Sequence, residues 1–310
     1  MARPSADGIT LNSNPETYNT PALLRSIQIL DLLELGGTTN AAAMALCLSQ
    51  PTVSRRVQHL VLDLGLKASS NRIKKTLRYT DNLCLQHLRQ ACQSHRLQAG
   101  AWRVGSCPWH QSVLQPLQPW ILVPSRFRHP TEWRELVGAR AIDAAVVSGL
   151  DVQLALQQPL EANSHGLSWE DCLLFPITHS PLGLLLPPGT SNAPDRWSSI
   201  AVPPQQFAPG LASFVRQQQS QCLHADRSCH DPQAWALWLL QQNRPVLATP
   251  AWALTLHPHL PGWHWLAWSG DTSERHWLLV LRSVWEEHPA LQCLLQQLRT
   301  ALVSSHTETE

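Results

Sequence analysis

Apolar positions at helical spacing organise the start of the chain. Leu23, Ile27 and Leu30 follow one another at intervals of three and four residues, which predicts an amphipathic helix over 22–35 that the next glycine pair ends. A second helix is predicted with Asn40 as its N-cap, and its run of alanines allows a neighbouring helix to approach closely.

The third predicted helix has an apolar stripe and a polar opposite side. Ser49 and Gln50 form the predicted cap, Pro51 fits the first turn, where no backbone N–H is needed, and the helix extends to about Leu64. Three short helices in this order, the last with Thr, Arg and Gln in its N-terminal half, are typical of a helix-turn-helix motif, whose last helix enters the DNA major groove.

Beyond residue 100, short β-rich runs alternate with helical segments. The pattern predicts strands at 101–106, 120–125, 141–149, 182–186, 199–202, 245–249 and 276–281. It predicts helices at 131–140, with Thr131 as the cap, and at 211–219, 232–242 and 289–303. This alternation indicates an α/β fold with a mostly parallel sheet and a ligand cleft beyond the carboxyl ends of the strands.

Charge and tryptophan divide the 310 residues at the same place. The net charge is only +1, but residues 21–98 carry ten Lys or Arg against four Asp or Glu, whereas residues 99–310 carry twelve against sixteen. All three lysines lie in the first segment and all fourteen tryptophans in the second. A small basic unit is therefore joined to a large, mildly acidic one, as expected of a protein that binds nucleic acid through one domain.

Basic and hydroxyl side chains near the third helix suit DNA, because arginine pairs with guanine, glutamine with adenine, and hydroxyls and cations with phosphate. We predict base contacts from Gln50, Thr52, Arg55 and Gln58, with Pro51 on the same side. We predict phosphate contacts from Ser49, Ser54, Arg56 and from a basic run that forms a wing, namely Arg72, Lys74, Lys75 and Arg78. The alternative interpretation is an ordinary helical domain with a solvated basic loop.

The segment 40–66, NAAAMALCLSQPTVSRRVQHLVLDLGL, resembles the LysR-type transcriptional regulators. It matches their Ala-Ala…Ser-Gln-x-x-Val-Ser-Arg…Leu…Leu-Gly pattern without a gap. The run 76–80 is similar to the end of the family's wing, and the helix predicted from about 81 to 97 resembles the linker helix through which these proteins dimerise. The sequence departs from the family at 67–70, where Lys-Ala-Ser-Ser replaces the usual Leu-Phe-x-Arg.

The large domain also resembles this family in the order of its elements, with 141–147 and 244–253 as the closest runs. The resemblance implies a flexible extension at 1–20, a winged helix-turn-helix domain at 21–80, a linker helix at 81–99 and an effector domain at 100–310. That domain has two lobes like those of periplasmic binding proteins, lobe I at about 100–160 and 265–310 and lobe II at about 161–264. The helix at 107–118 is short for the family, which predicts an altered or lost pocket.

Strand ends and helix caps supply the predicted effector contacts, because hydroxyls and backbone N–H groups at helix N-termini suit a small carboxylate or phosphate. These residues are Ser106, Ser125, Thr131, Phe207 and Thr249. The alternative is that the serines and threonines among them only cap helices.

Two further clusters have a structural and a chemical interpretation. Cys222, His224, Cys229 and His230 offer thiols and imidazoles for zinc, copper or a redox switch, but their spacing fits no closed zinc module. The tryptophan run 263–268 suits either sugar stacking or a core. No enzyme motif is present, and we predict no metal ligand, no cofactor and free thiols for the eight scattered cysteines.

These patterns predict a cytoplasmic, sequence-specific DNA-binding regulator that responds to a small-molecule effector and is not an enzyme. Its expected partners are double-stranded DNA with an inverted repeat, a second copy in a homodimer or homotetramer, and RNA polymerase as a candidate. With no signal segment and no long apolar run, no membrane is expected. Two alternatives stay open: a DNA-binding protein with a degenerate, effector-independent oligomerisation domain, and a cytoplasmic small-molecule-binding protein or enzyme.

Overall fold

A computed structural model gives the fold of most of the chain. It describes residues 18–68, 76–79, 82–114, 120–124, 126–157, 160, 166–190, 199–226, 229, 232–268, 272–289, 291–292, 295–296 and 298–299. No helix among these residues is long and apolar enough to cross a membrane. No disulfide links the cysteines in this part of the chain.

The N-terminal domain contains three helices, as the pattern predicts. They are α1 (Arg25–Gly36), α2 (Thr39–Ala45) and α3 (Gln50–Asp63), preceded by a short 3-10 turn. Helix α1 ends because Gly37 adopts a left-handed φ of 74° and its N–H bonds to Leu33 O at 2.8 Å. The N-cap of α2 is Thr38, whose side chain accepts the Ala41 N–H, so the prediction of Asn40 as the cap is wrong.

A long helix, α4 (Leu83–Gln98), connects this domain to the rest of the chain. Asn82 caps it, since its Oδ1 accepts the Leu85 N–H at 2.8 Å, and its amide donates to Leu64 O at 3.1 Å near the end of α3. Half of the residues on the buried face of α4 are polar, namely Arg89, Gln93 and Arg96. Polar groups on this face require partners within the same chain.

The first sheet has six strands in the order β2-β1-β3-β11-β5-β4. Its strands are β1 (Trp102–Ser106), β2 (Trp120–Leu122), β3 (Ala144–Ser148), β4 (Leu167–Trp169), β5 (Cys172–Pro181) and β11 (Ser273–Leu281). The helices that accompany it are α5 (Pro108–Leu114), α6 (Pro130–Gly138), α7 (Gly149–Leu156) and α11 (Arg282–Glu287). The closing helix predicted at 289–303 is helical wherever its residues are described from 291 onward.

The second sheet has five strands in the order β10-β6-β9-β7-β8. These strands are β6 (Gly183–Leu186), β7 (Ser199–Val202), β8 (Gln221–His224), β9 (Val246–Ala248) and β10 (His264–Ala267). Helices α8 (Pro209–Gln217), α9 (Pro232–Gln242) and α10 (Pro250–Leu256) accompany it. Each sheet with its helices forms one lobe of a two-lobed α/β domain.

Both sheets are mixed, so the prediction of a mostly parallel sheet is wrong. Strand β11 runs antiparallel to both β3 and β5, and β6 runs antiparallel to β9 and β10. The chain passes between the lobes along β5–β6 and β10–β11, and each passage brings a strand into its sheet in the opposite direction. Strands β4 and β5 belong to the first sheet, whereas the sequence assigned 161–181 to lobe II.

The apolar core is divided in two. One cluster joins the three N-terminal helices to the first sheet, and the other fills the second lobe. Trp109 of α5 and Phe127 belong to the second cluster although their neighbours in sequence belong to the first lobe. The segment around α5 therefore connects the lobes.

Candidate DNA-binding surface and interlobe cavity

The N-terminal half of α3 presents a polar face to solvent. Its apolar face, formed by Val53, Val57 and Leu60, is buried against α1 and α2. Ser49 caps the helix, since its Oγ accepts the Thr52 N–H at 3.3 Å and lies 2.7 Å from the Thr52 Oγ1. The structure places the remaining predicted contacts on the outer side, with Gln50, Pro51, Arg55, Arg56 and Gln58 exposed and Ser54 half-buried.

Besides Ser49 and Thr52, three of the predicted contacts have hydrogen-bond partners in the chain. Arg55 Nε donates to Pro51 O at 3.4 Å within α3. The Gln50 amide donates to Thr39 Oγ1 at 3.0 Å, which anchors the start of α3 to α2. The Arg78 guanidinium donates to Gly37 O at 3.2 Å at the carboxyl end of α1. Three further residues of the predicted wing lie outside the described residues, namely Arg72, Lys74 and Lys75.

A buried ion network joins α1 to α4 and to the first lobe. Asp31 of α1 accepts a hydrogen bond from Arg89 Nε at 2.8 Å and another from Arg103 Nη1 at 3.2 Å. The second guanidinium nitrogen of Arg89 lies 2.5 Å from Glu34 Oε2. These side chains are at most 2% exposed, so the charges interact with little screening by solvent.

Asp143 is the centre of a second buried cluster. Arg96 binds it with two hydrogen bonds of 3.0 and 2.7 Å, in the bidentate arrangement that is strongest for this pair. Asp143 also accepts the Arg103 backbone N–H at 2.7 Å and the Gln93 amide at 3.2 Å. Helix α4 is thereby fixed to the first lobe of its own chain along its buried face.

Arg128 connects the helical domain to the cavity between the lobes. Its Nη2 donates to Leu35 O at 2.5 Å and to Glu34 O at 3.4 Å, where the negative end of the α1 dipole favours a cation. The guanidinium lies 5.0 Å from the Trp133 ring centroid. Burial lowers the pKa of Arg128 to about 10, so the group remains a cation at neutral pH.

The interlobe cavity is narrow. Its open volume is about 20 Å³, and one water molecule occupies roughly 10–15 Å³ of such space, so the cavity has room for about one water. The cavity is filled from its walls by four aromatic residues, Trp109, Phe127, Trp133 and Phe207. Its polar lining residues are Cys107, His110, Arg128, Ser148, Asp151 and Glu274.

Burial disfavours the charged forms of several polar groups of this cavity. It raises the pKa of Asp151 to about 7 and that of Glu274 to about 8, and it lowers the pKa of His110 to about 4. Burial also raises the pKa of the Cys107 thiol far above its ordinary value. Arg128, in contrast, remains a cation at neutral pH.

The predicted effector contacts are only partly found at this cavity. Phe207 lines it, whereas Ser106 is buried beside it in register with Val146. Thr249 is buried and caps α10, as its alternative interpretation proposed. Thr131 is not a cap, because the imidazole of His129 accepts its N–H and caps α6 instead. Ser125 lies outside the described residues.

The sequence analysis did not predict three buried residues that lie together, namely His110 and Glu274, which line the cavity, and His276 next to them. The sequence carries a signal for two of them, because Glu274 and His276 stand at alternate positions at the start of a strand whose second half is apolar. The predicted strand 276–281 begins too late to include Glu274.

The cysteine–histidine cluster does not converge among its described members. Cys222 Sγ bonds to Ala212 O at 3.3 Å and His224 Nδ1 lies 3.2 Å from Pro203 O, while Cys229 is buried in the second core. His230 lies outside the described residues. In the tryptophan run, Trp263 is buried and the Trp265 indole donates to Ala248 O at 3.2 Å, which supports the core interpretation.

Comparisons with known proteins give likenesses to solved structures only. No family model and no curated protein matches the chain. The chain is similar to a full-length OxyR variant from Pseudomonas aeruginosa, with 16% identity, a TM-score of 0.47 and coverage of 91% of this chain and 96% of that one. It is also similar to full-length CbnR in complex with its target DNA, with 14% identity, a TM-score of 0.47 and coverage of 90% of this chain and 99% of that one. A third similar structure is full-length BenM, with 13% identity, a TM-score of 0.44 and coverage of 92% of this chain and 97% of that one.

CbnR is a LysR family transcriptional regulator, which is the family that the segment 40–66 resembles. The identities are below 25% and the TM-scores below 0.5, so these likenesses carry no inference about function. The function of this chain is therefore argued from its own residues.

Proposed function

We propose that the chain is a DNA-binding transcription regulator of the LysR type that acts on double-stranded DNA in the cytoplasm and is not an enzyme. The observation that carries the proposal is the exposed polar face of α3. Arg55, Arg56 and Gln58 are exposed there, on a helix whose opposite face is buried and whose N-terminus is fixed by Ser49 and Gln50. A helix with exposed Arg and Gln side chains is suited to reading base edges in the major groove.

A dimer is proposed through the exposed face of α4. The opposite face is committed to Asp31, Glu34 and Asp143 within the chain, which leaves the outer face for a partner. That face includes Leu83, which is 66% exposed, and the exposed Cys84 and Ala91. Two copies joined in this way present two α3 helices to an inverted repeat.

Control of DNA binding is proposed to pass through Arg128 and the buried ion network. Arg128 contacts the carboxyl end of α1 and lines the interlobe cavity, so a ligand in the cavity shares a residue with the DNA-binding domain. A ligand that moves Arg128 would change its hydrogen bonds to the carboxyl end of α1 and thereby the position of that helix. The narrowness of the cavity favours a ligand no larger than an ion or a water-sized group in the state described here.

The second candidate is a DNA-binding protein whose large domain is only an oligomerisation scaffold. The specific observation in its favour is the aromatic filling of the cavity by Trp109, Phe127, Trp133 and Phe207. Both candidates bind DNA. They differ in that the second predicts no change in DNA affinity when a ligand is added.

The test is selection of binding sites from a random DNA library with the purified full-length chain, repeated over a salt series. We expect an enriched inverted repeat whose affinity falls steeply as salt rises, because cations displace counterions from phosphate. Binding without any preferred sequence would leave a non-specific DNA binder. Absence of binding at low salt would contradict the proposal and favour a small-molecule-binding protein.

A further inference from the structure

We propose that His110, Glu274 and His276 form a binding site for a divalent transition-metal ion of the zinc class at the interlobe cavity. The ion would tie α5 to the central strand β11 of the first sheet. Only the regulatory consequence, an effect on DNA binding, rests on the proposed function.

The three side chains converge from two elements. Glu274 and His276 are two residues apart on β11, so their side chains lie on the same face of the sheet. His110 comes from α5, and its ring lies edge-on to that of His276, with 4.6 Å between the centroids and 76° between the planes. The three ligand atoms lie within 4.8 Å of one another, and all three residues are buried. Among the described residues, no other group of three such side chains is spaced for a metal.

Two of the candidate ligand atoms make no hydrogen bond of normal geometry among the described residues. These are His110 Nε2 and Glu274 Oε2, on side chains that are about 1% and 0% exposed. Burying a polar atom without a hydrogen bond costs about 1–3 kcal/mol, so two such atoms beside each other need a compensating interaction. A cation between them would bind both.

The other polar atoms of these side chains have partners that orient them. Glu274 Oε1 accepts the Gly149 N–H at 2.8 Å, and His276 Nε2 lies 3.0 Å from Ser180 Oγ. His110 Nδ1 lies 3.1 Å from Cys107 Sγ. Metal-binding histidines and carboxylates are typically oriented in this way by a second partner, which also fixes the imidazole tautomer.

The donor set and the size of the cavity define the class of ion. Two imidazoles and one carboxylate suit zinc and neighbouring first-row metals, whereas calcium and magnesium prefer oxygen ligands throughout. Three protein ligands leave a fourth position open for water or a small anion. The open volume of about 20 Å³ has room for a single ion or water-sized group and is too small for a metabolite.

The site lies where residues next to its ligands contact the second lobe and the helical domain. Next to His110, Trp109 stacks on Trp252 of α10 in the second lobe, with 6.5 Å between the ring centroids. Arg128 lines the same cavity and supports the end of α1. An ion that fixes α5 to β11 would therefore fix the lobes relative to each other and the environment of Arg128.

The first experiment is a Co²⁺ titration of the full-length chain after removal of metal with EDTA, followed by displacement with Zn²⁺. We expect one ion per chain, with visible absorption bands of low-symmetry Co²⁺ that Zn²⁺ abolishes. In H110N, E274Q and H276N the Co²⁺ affinity should fall at least about 100-fold, since each variant removes a first ligand. The matched control is H259N, an exposed histidine of the second lobe, which should bind as the unmodified chain does.

A second measurement needs no variant and so covers the case in which a substitution prevents folding. X-ray absorption of the zinc-loaded chain should show only nitrogen and oxygen neighbours at about 2.0 Å. Sulfur neighbours at about 2.3 Å would place the ion at cysteines instead and overturn the proposal. Equal binding by H110N and the unmodified chain would overturn it as well, as would absence of Co²⁺ and Zn²⁺ binding at micromolar concentration.

DNA binding is measured separately, with and without one equivalent of Zn²⁺. Metal binding by these ligands without DNA binding would sink the proposed function and leave the metal site standing. Specific DNA binding by a chain that binds no metal would sink the metal site and leave the proposed function standing.

Discussion

At the scale of single residues, burial separates arginines that stabilise the protein from arginines that are free to bind a partner. The segment 21–98 is strongly basic, but Arg89 and Arg96 are buried and paired with carboxylates. Their charges are not available to DNA. Arg55 and Arg56 are exposed on α3, so the electrostatic attraction to phosphate depends on fewer cations than the count suggests.

The first prediction concerns Arg55. Replacing it with alanine should weaken binding to the selected DNA site by about 1–3 kcal/mol, because an arginine that reads a base loses its hydrogen bonds and its specificity. The measurement is an equilibrium titration at fixed salt with the selected site and with a scrambled one. The matched control is R216A, which removes an exposed arginine from a helix of the second lobe. Equal loss on both DNAs would reassign Arg55 to phosphate, and no loss would remove it from the interface.

The second prediction concerns Asp151, whose buried carboxyl has its pKa raised from 3.8 to about 7. Between about pH 4 and 7 the folded chain holds a proton on Asp151 that the unfolded chain releases. The contribution of the protonated Asp151 to the free energy of unfolding is therefore complete below pH 4 and is lost as pH rises towards 7. The slope is at most about 1.4 kcal/mol per pH unit. The comparison variant is D151N, whose amide oxygen can still accept the Gly210 N–H but whose side chain does not titrate.

The check is urea unfolding of both proteins at pH 4.5, 5.5, 6.5 and 7.5. The stability of the unmodified chain relative to D151N should decrease across the series. The difference is used because the buried His110, with its lowered pKa, contributes the opposite slope at pH 4–6.5. A difference that does not change with pH would show that Asp151 is ionised throughout this range.

At the scale of elements, local signals were predictable and distant pairings were not. Helix α3 carries its own cap, a proline in its first turn and an apolar stripe, so the sequence located it within one residue. Strand β5 contains two prolines, and it pairs along its length with β11, which lies far away in sequence. No local pattern reports that pairing, and the strand was missed.

The cavity was missed for the same reason. His110 on α5 lies far in sequence from Glu274 and His276 on β11, and only the tertiary fold brings the three together. The predicted contacts were placed by a general rule about strand ends and caps. Of the residues predicted in this way, Phe207 lines the cavity. The rule cannot distinguish a hydroxyl that binds a ligand from one that caps a helix, as Thr249 does.

The third prediction concerns the buried network between elements. D31N should lower the free energy of unfolding by about 3–5 kcal/mol, because Arg89 and Arg103 lose the carboxylate that they share and remain buried. Chemical denaturation measures the change. D63N is the control, since Asp63 is exposed at the end of α3 and should cost less than about 0.5 kcal/mol. Equal effects of the two substitutions would mean that the network contributes nothing to stability.

At the scale of the whole molecule, the three parts of the chain are linked by different kinds of contact. The helical domain is joined to the first lobe by a shared apolar core and by the ion network around Asp31 and Asp143. The lobes meet at two helix pairs, α5 with α10 beside the cavity and α7 with α8. The second pair approaches most closely through backbone atoms, so it is the contact that a single added methyl group can test.

The close approach of α7 and α8 depends on Gly210. A Cβ at this position would overlap the backbone carbonyl of Leu150, and the Gly210 N–H donates to Asp151 Oδ1 at 2.6 Å. Backbone atoms cannot move aside as a flexible side chain does, so G210A should push the two helices apart. The interlobe cavity, which is lined by Asp151 from α7 and Leu211 from α8, should open as a result.

The fourth prediction is therefore that G210A loosens the lobes while each lobe keeps its fold. Hydrogen exchange should become faster in α7, α8 and the cavity segment around His110, with little change in the central strand β11. G138A is the matched control, because a Cβ there meets only Asp171 Oδ2 at 3.6 Å, an ordinary contact. If G210A leaves exchange in α7 and α8 unchanged, this contact does not hold the lobes together. If G210A unfolds the whole chain, the two lobes form one cooperative unit. A ligand in the cavity would then act on the DNA-binding domain through small shifts of Arg128 and not through movement of the lobes.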